Sequence, residues 1–185
     1  SQGKLWLTLL LVALIAYILG MGLPISTSYI ILATLSAPAI VSLGVDMLVV
    51  HLTIFWFTQL ATITPPVCMT AFAAAGIAQG QPMKTGFTAL KMGFTFYYVP
   101  VLFVYSQLIN GAWWVQCIIA VFAIIAIYFL GTFTEKYFMG DLGNIQRFTG
   151  LAIFAGIYFM MFDGLTMPMR GALLALAVAL IASLY

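Results

Sequence analysis

The stretch Thr62-Ile63-Thr64-Pro65-Pro66 interrupts an apolar run that extends from residue 47 to residue 78. A run of this length is too long for one straight crossing of a bilayer, which takes about 20 residues. Proline lacks the amide hydrogen and its ring clashes with the preceding turn, so two consecutive prolines end a helix. The carbonyls freed in this way are tolerated at membrane depth only where they are buried in protein or line a polar cavity. The sequence therefore predicts a broken helix over residues 47–79.

The composition surrounding this stretch is that of a membrane protein. Hydrophobic residues make up 65% of the 185 residues, charged residues make up 5%, and the mean hydropathy is +1.19. A soluble domain carries about 25% charged residues, because water must wet its surface. We therefore predict an all-α integral membrane protein. Long segments without any charge support this prediction, and they lie between Lys4 and Asp46, between Asp46 and Lys84, and between Lys91 and Glu135.

A second interruption precedes the broken helix. An apolar run over residues 5–19 stops at Gly20-Met21-Gly22-Leu23-Pro24, and a second run over 28–43 follows Ile25-Ser26-Thr27. Each arm has about 15 residues, or roughly 22 Å of helix, which is short of the ~30 Å hydrocarbon core. Two short arms around such a turn favour a reentrant hairpin over residues 5–43. The alternative is a pair of tilted spanning helices joined by an external loop.

The rest of the chain predicts further membrane helices. A helix over residues 85–108 completes a transport region over 1–108, and a C-terminal transmembrane extension occupies 109–185. A polar stretch over 135–147 and a joint over 163–168 separate the last apolar runs. Both ends of the chain lie beside apolar runs, so we expect a fragment of a longer permease.

Lysine and arginine predict the orientation, because they are enriched on the cytoplasmic side. If the hairpin returns to its own side, the hairpin opens from outside the cell. Two cations then lie outside, Lys4 and Arg170, and four lie on the cytoplasmic side: Lys84, Lys91, Lys136 and Arg147.

The two interruptions together predict a binding site. Sodium prefers oxygen ligands, and the carbonyls at a helix C-terminus carry partial negative charge. Amides at the opposed half-helix N-termini, near Ser28 and Val67, suit an anionic substrate group. No carboxylate is needed. The candidate binding residues are Gly22, Pro24, Ser26, Thr27 and Ser28 in the hairpin, and Gln59, Thr62, Thr64, Pro65 and Pro66 at the break, with Ser26, Thr27 and Thr64 as candidate Na⁺ ligands.

Three other interpretations stay open. Serine and threonine in membrane helices commonly bond to the backbone or join helices, so the chain could be a non-transporting scaffold or assembly subunit. An intramembrane enzyme would need His51 and Asp46 to face each other. The two cysteines, Cys68 and Cys117, are predicted to pack in apolar surroundings, although a disulfide or a metal site is conceivable.

Other functions are excluded or disfavoured by the sequence. It contains no glycine-rich phosphate loop before a Lys-Ser or Lys-Thr pair, so it does not encode ATP hydrolysis. A net charge of +2 does not indicate a nucleic-acid partner. We expect no enzyme activity and no cofactor other than a coupling ion.

Residues 5–108 resemble the large permease of TRAP transporters, and in particular the fused-permease branch that works with TAXI-type binding proteins. The blocks that carry the resemblance are Leu19-Gly20-Met21-Gly22-Leu23-Pro24, Ile30-Ile31-Leu32-Ala33, Ala37-Pro38-Ala39, Thr62-Ile63-Thr64-Pro65-Pro66-Val67, Ala71-Phe72-Ala73-Ala74-Ala75-Gly76-Ile77-Ala78 and Pro82-Met83-Lys84-Thr85-Gly86-Phe87-Thr88-Ala89-Leu90-Lys91. Cys68 departs from the pattern, because many members have glycine there.

The resemblance implies an elevator-type secondary transporter in a bacterial inner membrane, driven by a sodium or proton gradient. A periplasmic binding protein would deliver an organic acid or similar small solute. This chain would supply the second of two inverted halves, and its partners would be the remaining half and a small membrane subunit or its fused equivalent. The residues that the resemblance assigns to the site are Gly22, Pro24, Ser26 and Thr27 at the hairpin tip, and Thr64, Pro65 and Pro66 at the break.

Overall fold

The protein is helical. The computed structural model describes residues 4–135, 144–161 and 167–182, and these contain helices and turns but no strand. Within these ranges, two helices are long and apolar enough to cross a membrane, Pro82–Tyr105 and Trp113–Glu135, and five further apolar helices are shorter. The prediction of an all-α protein is confirmed for the described residues.

The chain divides into two compact units, Ser1–Val104 and Tyr105–Tyr185. In the first unit the helices α1, α2 and α3 pack together, and α4 packs on α5. Its elements are α1 (Leu5–Gly20), α2 (Ile25–Val41), α3 (Met47–Ala61), α4 (Met69–Ile77), α5 (Pro82–Gly93), a 3₁₀ helix (Phe94–Tyr98) and most of α6 (Val99–Tyr105).

The described residues of the second unit after residue 112 form three helices, in which α8 packs on both neighbours. These helices are α7 (Trp113–Glu135), α8 (Asn144–Met160) and α9 (Met167–Ala182). The predicted polar stretch over 135–147 and the predicted turn over 163–168 fall largely outside the described residues, as do Lys136 and the side chain of Arg147.

The hairpin consists of α1 and α2, with 16 and 17 residues. Their lengths are about 24 and 26 Å, which is below the ~30 Å of a hydrocarbon core. The turn between them is closed by the amides of Gly22 and Leu23, which both donate to the Leu19 carbonyl. The short arms fit a hairpin that turns inside the membrane, and this depth stays a prediction.

The second arm begins earlier than the sequence indicated. It starts at Ile25, directly after Pro24, and the Pro24 carbonyl accepts a hydrogen bond from the Ser28 amide. The prediction that this arm begins at residue 28 was wrong. Serine and threonine are frequent in turns, but here Ser26 and Thr27 belong to the first helical turn, because Pro24 has already fixed the backbone at the N-cap.

The broken helix consists of α3 and α4, which are separated by residues 62–68. Pro65 and Pro66 lie in this segment, and the peptide bond between them is cis. The interruption therefore lies where the two prolines predict it. The second half-helix begins at Met69 rather than near Val67.

Apolar side chains form both the core and the outside of the first unit. Ala16, Leu32 and Ile40 are buried, whereas Ile18 and Leu35 are 59% and 72% exposed on the same helices. An apolar outer surface of this kind is suited to lipid rather than to water.

Candidate functional site

The hairpin and the broken helix meet at two small residues. Gly20, the last residue of α1, is buried against Ala61, the last residue of α3. A methyl group at position 20 would overlap the Ala61 side chain. The C-terminal ends of α1 and α3 consequently lie side by side. Since each end carries about half a negative charge from its carbonyls, the junction is an electronegative place for a cation.

The break segment packs against α5 through two glycines. A Cβ at Gly86 would lie 2.5 Å from Cys68 Sγ and 3.6 Å from Pro65 Cγ, and a Cβ at Gly93 would lie 2.6 Å from Ile63 Cδ1. Residues seven apart lie on one face of a helix. This glycine face of α5 therefore lets the break segment approach the helix more closely than any side chain would allow.

Tyr97 binds the break from the 3₁₀ helix. Its hydroxyl is hydrogen-bonded to Thr64 Oγ1, and Thr64 Oγ1 also bonds the Leu60 carbonyl. Because Thr64 has one hydroxyl proton and a carbonyl can only accept, Thr64 donates to Leu60 and Tyr97 donates to Thr64. The Tyr97 ring also contacts the Tyr17 ring of α1, with centroids 6.1 Å apart. Tyr97 thus connects the hairpin with the break.

The 3₁₀ helix is itself fixed against α3. The Trp56 indole donates to the Phe96 carbonyl at 3.1 Å, and the Trp56 ring contacts Phe96 and Phe103. A 3₁₀ segment inside a longer helix often marks a hinge or a strained stretch. Here it lies between α5 and α6 and carries Tyr97, whose hydroxyl is hydrogen-bonded to Thr64.

The backbone of the break has unused acceptors. The amides of Thr62, Ile63 and Thr64 donate to carbonyls three residues earlier, and the Thr62 carbonyl accepts from the Thr70 amide at 3.3 Å. Among the described residues, no donor bonds the carbonyls of residues 63–67. Five consecutive carbonyl oxygens therefore remain available for a ligand.

The side chains predicted at the break are mostly engaged. The Thr62 hydroxyl donates to the Gln59 carbonyl at 2.7 Å, which is a common bond in membrane helices. Thr64 is engaged by Leu60 and Tyr97, as described above. Pro65 is half-buried and Pro66 is exposed. The main chain, rather than the hydroxyls, offers the free oxygens of the break.

The hairpin hydroxyls differ from one another. Ser26 and Thr27 are exposed, whereas Ser28 is fully buried and its Oγ has no hydrogen-bond partner among the described residues. Burying a hydroxyl without a partner costs about 1–3 kcal/mol. Within the described part of the chain, no hydrogen bond joins Ser26 or Thr27 with Thr64. Ser28 is therefore the hairpin hydroxyl whose lone pairs are available inside the protein.

His51 and Asp46 do not form a pair. The Asp46 carboxylate caps α3 by accepting from the amides of Leu48 and Val49, at 2.8 and 3.4 Å. His51 Nδ1 is instead hydrogen-bonded to the Tyr29 hydroxyl at 2.9 Å. The interpretation as an intramembrane enzyme required these two side chains to face each other, and this geometry is absent.

Tyr29 and His51 line a cavity of about 690 Å³ on α2 and α3. Ser26 and Phe55 also belong to its wall, which is otherwise apolar.

Cys68 is buried against Gly86, and Cys117 is exposed in the second unit. Both cysteines are free.

Sequence reasoning missed Tyr97 and the glycine face of α5. The spacing of Gly86 and Gly93 was a usable signal, because small residues on one face of a membrane helix indicate a close approach. No local pattern singles out Tyr97 among the neighbouring aromatic residues.

Comparison with known proteins gives one match. A family model described as "Tripartite ATP-independent periplasmic transporter, DctM component" matches residues 1–110, which is more than half of the chain. No curated protein and no solved structure matches the chain. The matched residues contain the hairpin, the break and the helix that carries Tyr97.

Proposed function

The chain belongs to the DctM family of tripartite ATP-independent periplasmic transporters, and from this premise we propose that it forms half of the transport region of a secondary-active permease. The family is a membrane-embedded transporter component and not an enzyme family, and it works with a periplasmic binding protein and other membrane subunits. The substrate we propose is an organic acid or similar small solute that the binding protein delivers.

The coupling ion we propose is sodium, bound between the hairpin and the break. The observation that supports it is the junction of Gly20 with Ala61, because it puts two electronegative helix ends together beside five free carbonyls. Oxygen ligands suit a hard cation. The carbonyls of residues 63–67 and Ser28 Oγ are the proposed ligands, and the bound ion would stabilise the state that accepts substrate.

An anionic group of the substrate would bind at the half-helix N-termini. These lie at Ile25 and Met69, where unpaired amides and the helix dipole attract negative charge. Ser26 and Thr27 are exposed on the first turn of α2 and could donate hydrogen bonds to the same group. Transport would proceed by alternating access of an elevator type in a bacterial inner membrane.

The remaining half of the permease would come from outside residues 1–185. A second inverted copy of the hairpin and broken helix would complete the site, so we expect no transport by this chain alone. The second unit would be the C-terminal extension of the fused, TAXI-type branch. A scaffold without transport is the competing proposal, supported by the structural hydrogen bonds of Thr62 and Thr64.

Replacing Ser28 by alanine tests the ion site. We expect the sodium concentration for half-maximal uptake by the complete transporter to rise about tenfold, which corresponds to ~1.4 kcal/mol. A scaffold role predicts no change in ion dependence, and greater stability because a buried hydroxyl without a partner is removed. Uptake is measured after a sodium jump at constant pH, and separately after a proton jump without sodium.

Thr53→Val is the matched control for Ser28→Ala. Thr53 is also fully buried, and its hydroxyl has no partner among the described residues, but it lies two turns before the end of α3. It should leave the sodium dependence unchanged. An unchanged sodium dependence in the Ser28 variant, or uptake driven by protons alone, would contradict the sodium proposal.

Replacing Tyr97 by phenylalanine tests whether the break must be held in place. The ring contact with Tyr17 is retained, but Thr64 loses its donor. Since a hydrogen bond contributes about 0.5–1.5 kcal/mol, we expect uptake to fall roughly two- to tenfold with a weaker response to sodium. Tyr29→Phe, which removes the hydroxyl bonded to His51, is the control. Equal effects of the two substitutions would show that Tyr97 has no special role.

A further inference from the structure

Two glycines on one face of α5 lie against the two ends of the break. A Cβ at Gly93 would lie 2.6 Å from Ile63 Cδ1, and a Cβ at Gly86 would lie 2.5 Å from Cys68 Sγ. The carbonyls that no donor bonds among the described residues are those of residues 63–67. Ile63 begins this row of free carbonyls, and Cys68 directly follows it. The two glycines therefore contact the residues at both ends of the row.

These contacts define the path of the break along α5. The start of the segment lies at Gly93 and its end lies at Gly86, so the segment runs antiparallel to the helix. Seven helical residues rise by about 10 Å, so the two contacts are two turns apart. Within the segment, the Thr64 hydroxyl is bonded to Tyr97. The free carbonyls are thus held at three points, two of which depend on the absence of a side chain.

Neither glycine is required by its own backbone conformation. Gly86 and Gly93 are helical and buried, and neither has the positive φ that favours glycine. Alanine is more favourable than glycine in a helix, so the backbone of α5 alone would prefer alanine at both positions. What alanine lacks is space, because its methyl group would overlap Cys68 Sγ or Ile63 Cδ1. The close approach of the break is therefore the feature that requires glycine.

We propose that Gly86 and Gly93 are positioning residues of the ion site, which fix the arrangement of the carbonyls of residues 63–67 by holding both ends of the segment on α5. This inference rests on the proposed sodium site. Binding groups must be held within about 0.5 Å of their productive geometry. A methyl group at 2.5 Å from Cys68 Sγ has to displace that neighbour by about 1 Å to reach an ordinary contact.

Alanine substitutions in the complete transporter test this role. Gly86→Ala should raise the sodium concentration for half-maximal uptake about tenfold, while the rate at saturating sodium is largely retained. Gly93→Ala should raise it about threefold, because Ile63 Cδ1 ends a side chain that can rotate away. Gly76→Ala is the control for replacing a helical glycine, since a Cβ there meets no atom within 4 Å.

Removing the overlapped atom is the matching rescue for each substitution. Cys68→Ala removes Sγ, which makes no capping hydrogen bond, and Ile63→Val removes Cδ1. Gly86→Ala with Cys68→Ala, and Gly93→Ala with Ile63→Val, should therefore restore the sodium dependence. The crossed pair, Gly86→Ala with Ile63→Val, should not. If Gly86→Ala alone fails to fold, its matched pair and the two variants at Gly93 give the same test.

Labelling of Cys68 with N-ethylmaleimide measures the contact without transport. Its side chain is fully buried, so the unsubstituted protein should react slowly at this position. Gly86→Ala should increase the labelling rate about fivefold or more, because the segment has to move off α5, whereas Gly76→Ala should not change it. The labelled peptide is quantified by mass spectrometry, and the exposed Cys117 serves as the internal standard.

Four results would overturn the proposal. A lower Tm of Gly86→Ala with unchanged sodium dependence would show that this glycine serves packing alone. Failure of the matched pairs to recover, or recovery of the crossed pair, would show that these contacts are not the cause. Unchanged Cys68 labelling in Gly86→Ala would show that the contact does not hold the segment. Uptake by the unsubstituted transporter without any sodium dependence would overturn the sodium site as well, so the two failures are distinguishable.

Discussion

Replacing Pro65 and Pro66 together by alanine is expected to abolish ion-driven uptake by the complete transporter. Each proline disfavours a helix interior by about 3 kcal/mol relative to alanine, so the pair contributes roughly 6 kcal/mol toward an open backbone. Without them, α3 can extend through residues 62–68, and the carbonyls of residues 63–67 become acceptors within the helix. The initial rate of uptake, normalised to the amount of protein in the membrane, should fall to the background.

Pro82→Ala provides the control for the proline pair. Pro82 is the first residue of α5. The amide of a first helical residue has no acceptor within the helix, so the missing amide hydrogen of a proline removes no hydrogen bond there. We expect uptake within about twofold of the unsubstituted transporter. Normal ion dependence in the Pro65/Pro66 double variant would show that the open backbone is not the binding element, and the scaffold proposal would then be favoured.

The sequence predicted those features that depend on local backbone chemistry. Two adjacent prolines end a helix wherever they occur, so the break at residues 62–68 followed from the residues alone. The turn after Gly20 was also predicted from local residues, because Gly22 and Pro24 disfavour a continuous helix. The start of α2 did not, because Ser26 and Thr27 are as acceptable in a first helical turn as in a loop. Asp46 could have been identified as an N-cap, since aspartate before an apolar run commonly has this role.

Features that depend on contacts between distant segments could not be predicted. Gly20 and Ala61 are 41 positions apart, and Thr64 and Tyr97 are 33 apart. A single sequence gives the faces of each helix but not the register of one helix on another. Hydroxyl groups were therefore grouped by their nearness to an interruption, whereas the structure divides them into bonded ones, such as Thr62, and a buried one without a partner, Ser28.

This division changes which substitutions should matter most. The hydroxyls of Thr62 and Thr64 already bond to the protein, so removing one of them should have a moderate effect. Apart from Ser28 Oγ, the free acceptors belong to the main chain, which no side-chain substitution removes. Substitutions that change the path or the packing of the backbone should consequently be more severe than those that remove a single polar atom.

Replacing Gly20 by alanine is expected to reduce uptake at least tenfold and to destabilise the first unit. The added methyl group would overlap the Ala61 side chain at a buried contact, and overpacking of this kind costs about 1–3 kcal/mol. To relieve the overlap, the end of α1 must move away from the end of α3, which separates the two electronegative helix ends. Sodium-driven uptake and the Tm of the purified transporter measure the two effects.

The compensating variant distinguishes a specific contact from general damage. In Gly20→Ala combined with Ala61→Gly, the methyl group is moved to the other side of the same contact, so the helix ends can approach again. We expect uptake to recover, while stability recovers only in part because glycine is less favourable than alanine in a helix by about 1 kcal/mol. Gly76→Ala is the control, since a Cβ there meets no atom within 4 Å. If the double variant were no better than Gly20→Ala alone, the effects would not couple across this contact, and the close approach of α1 to α3 would not be what the site requires.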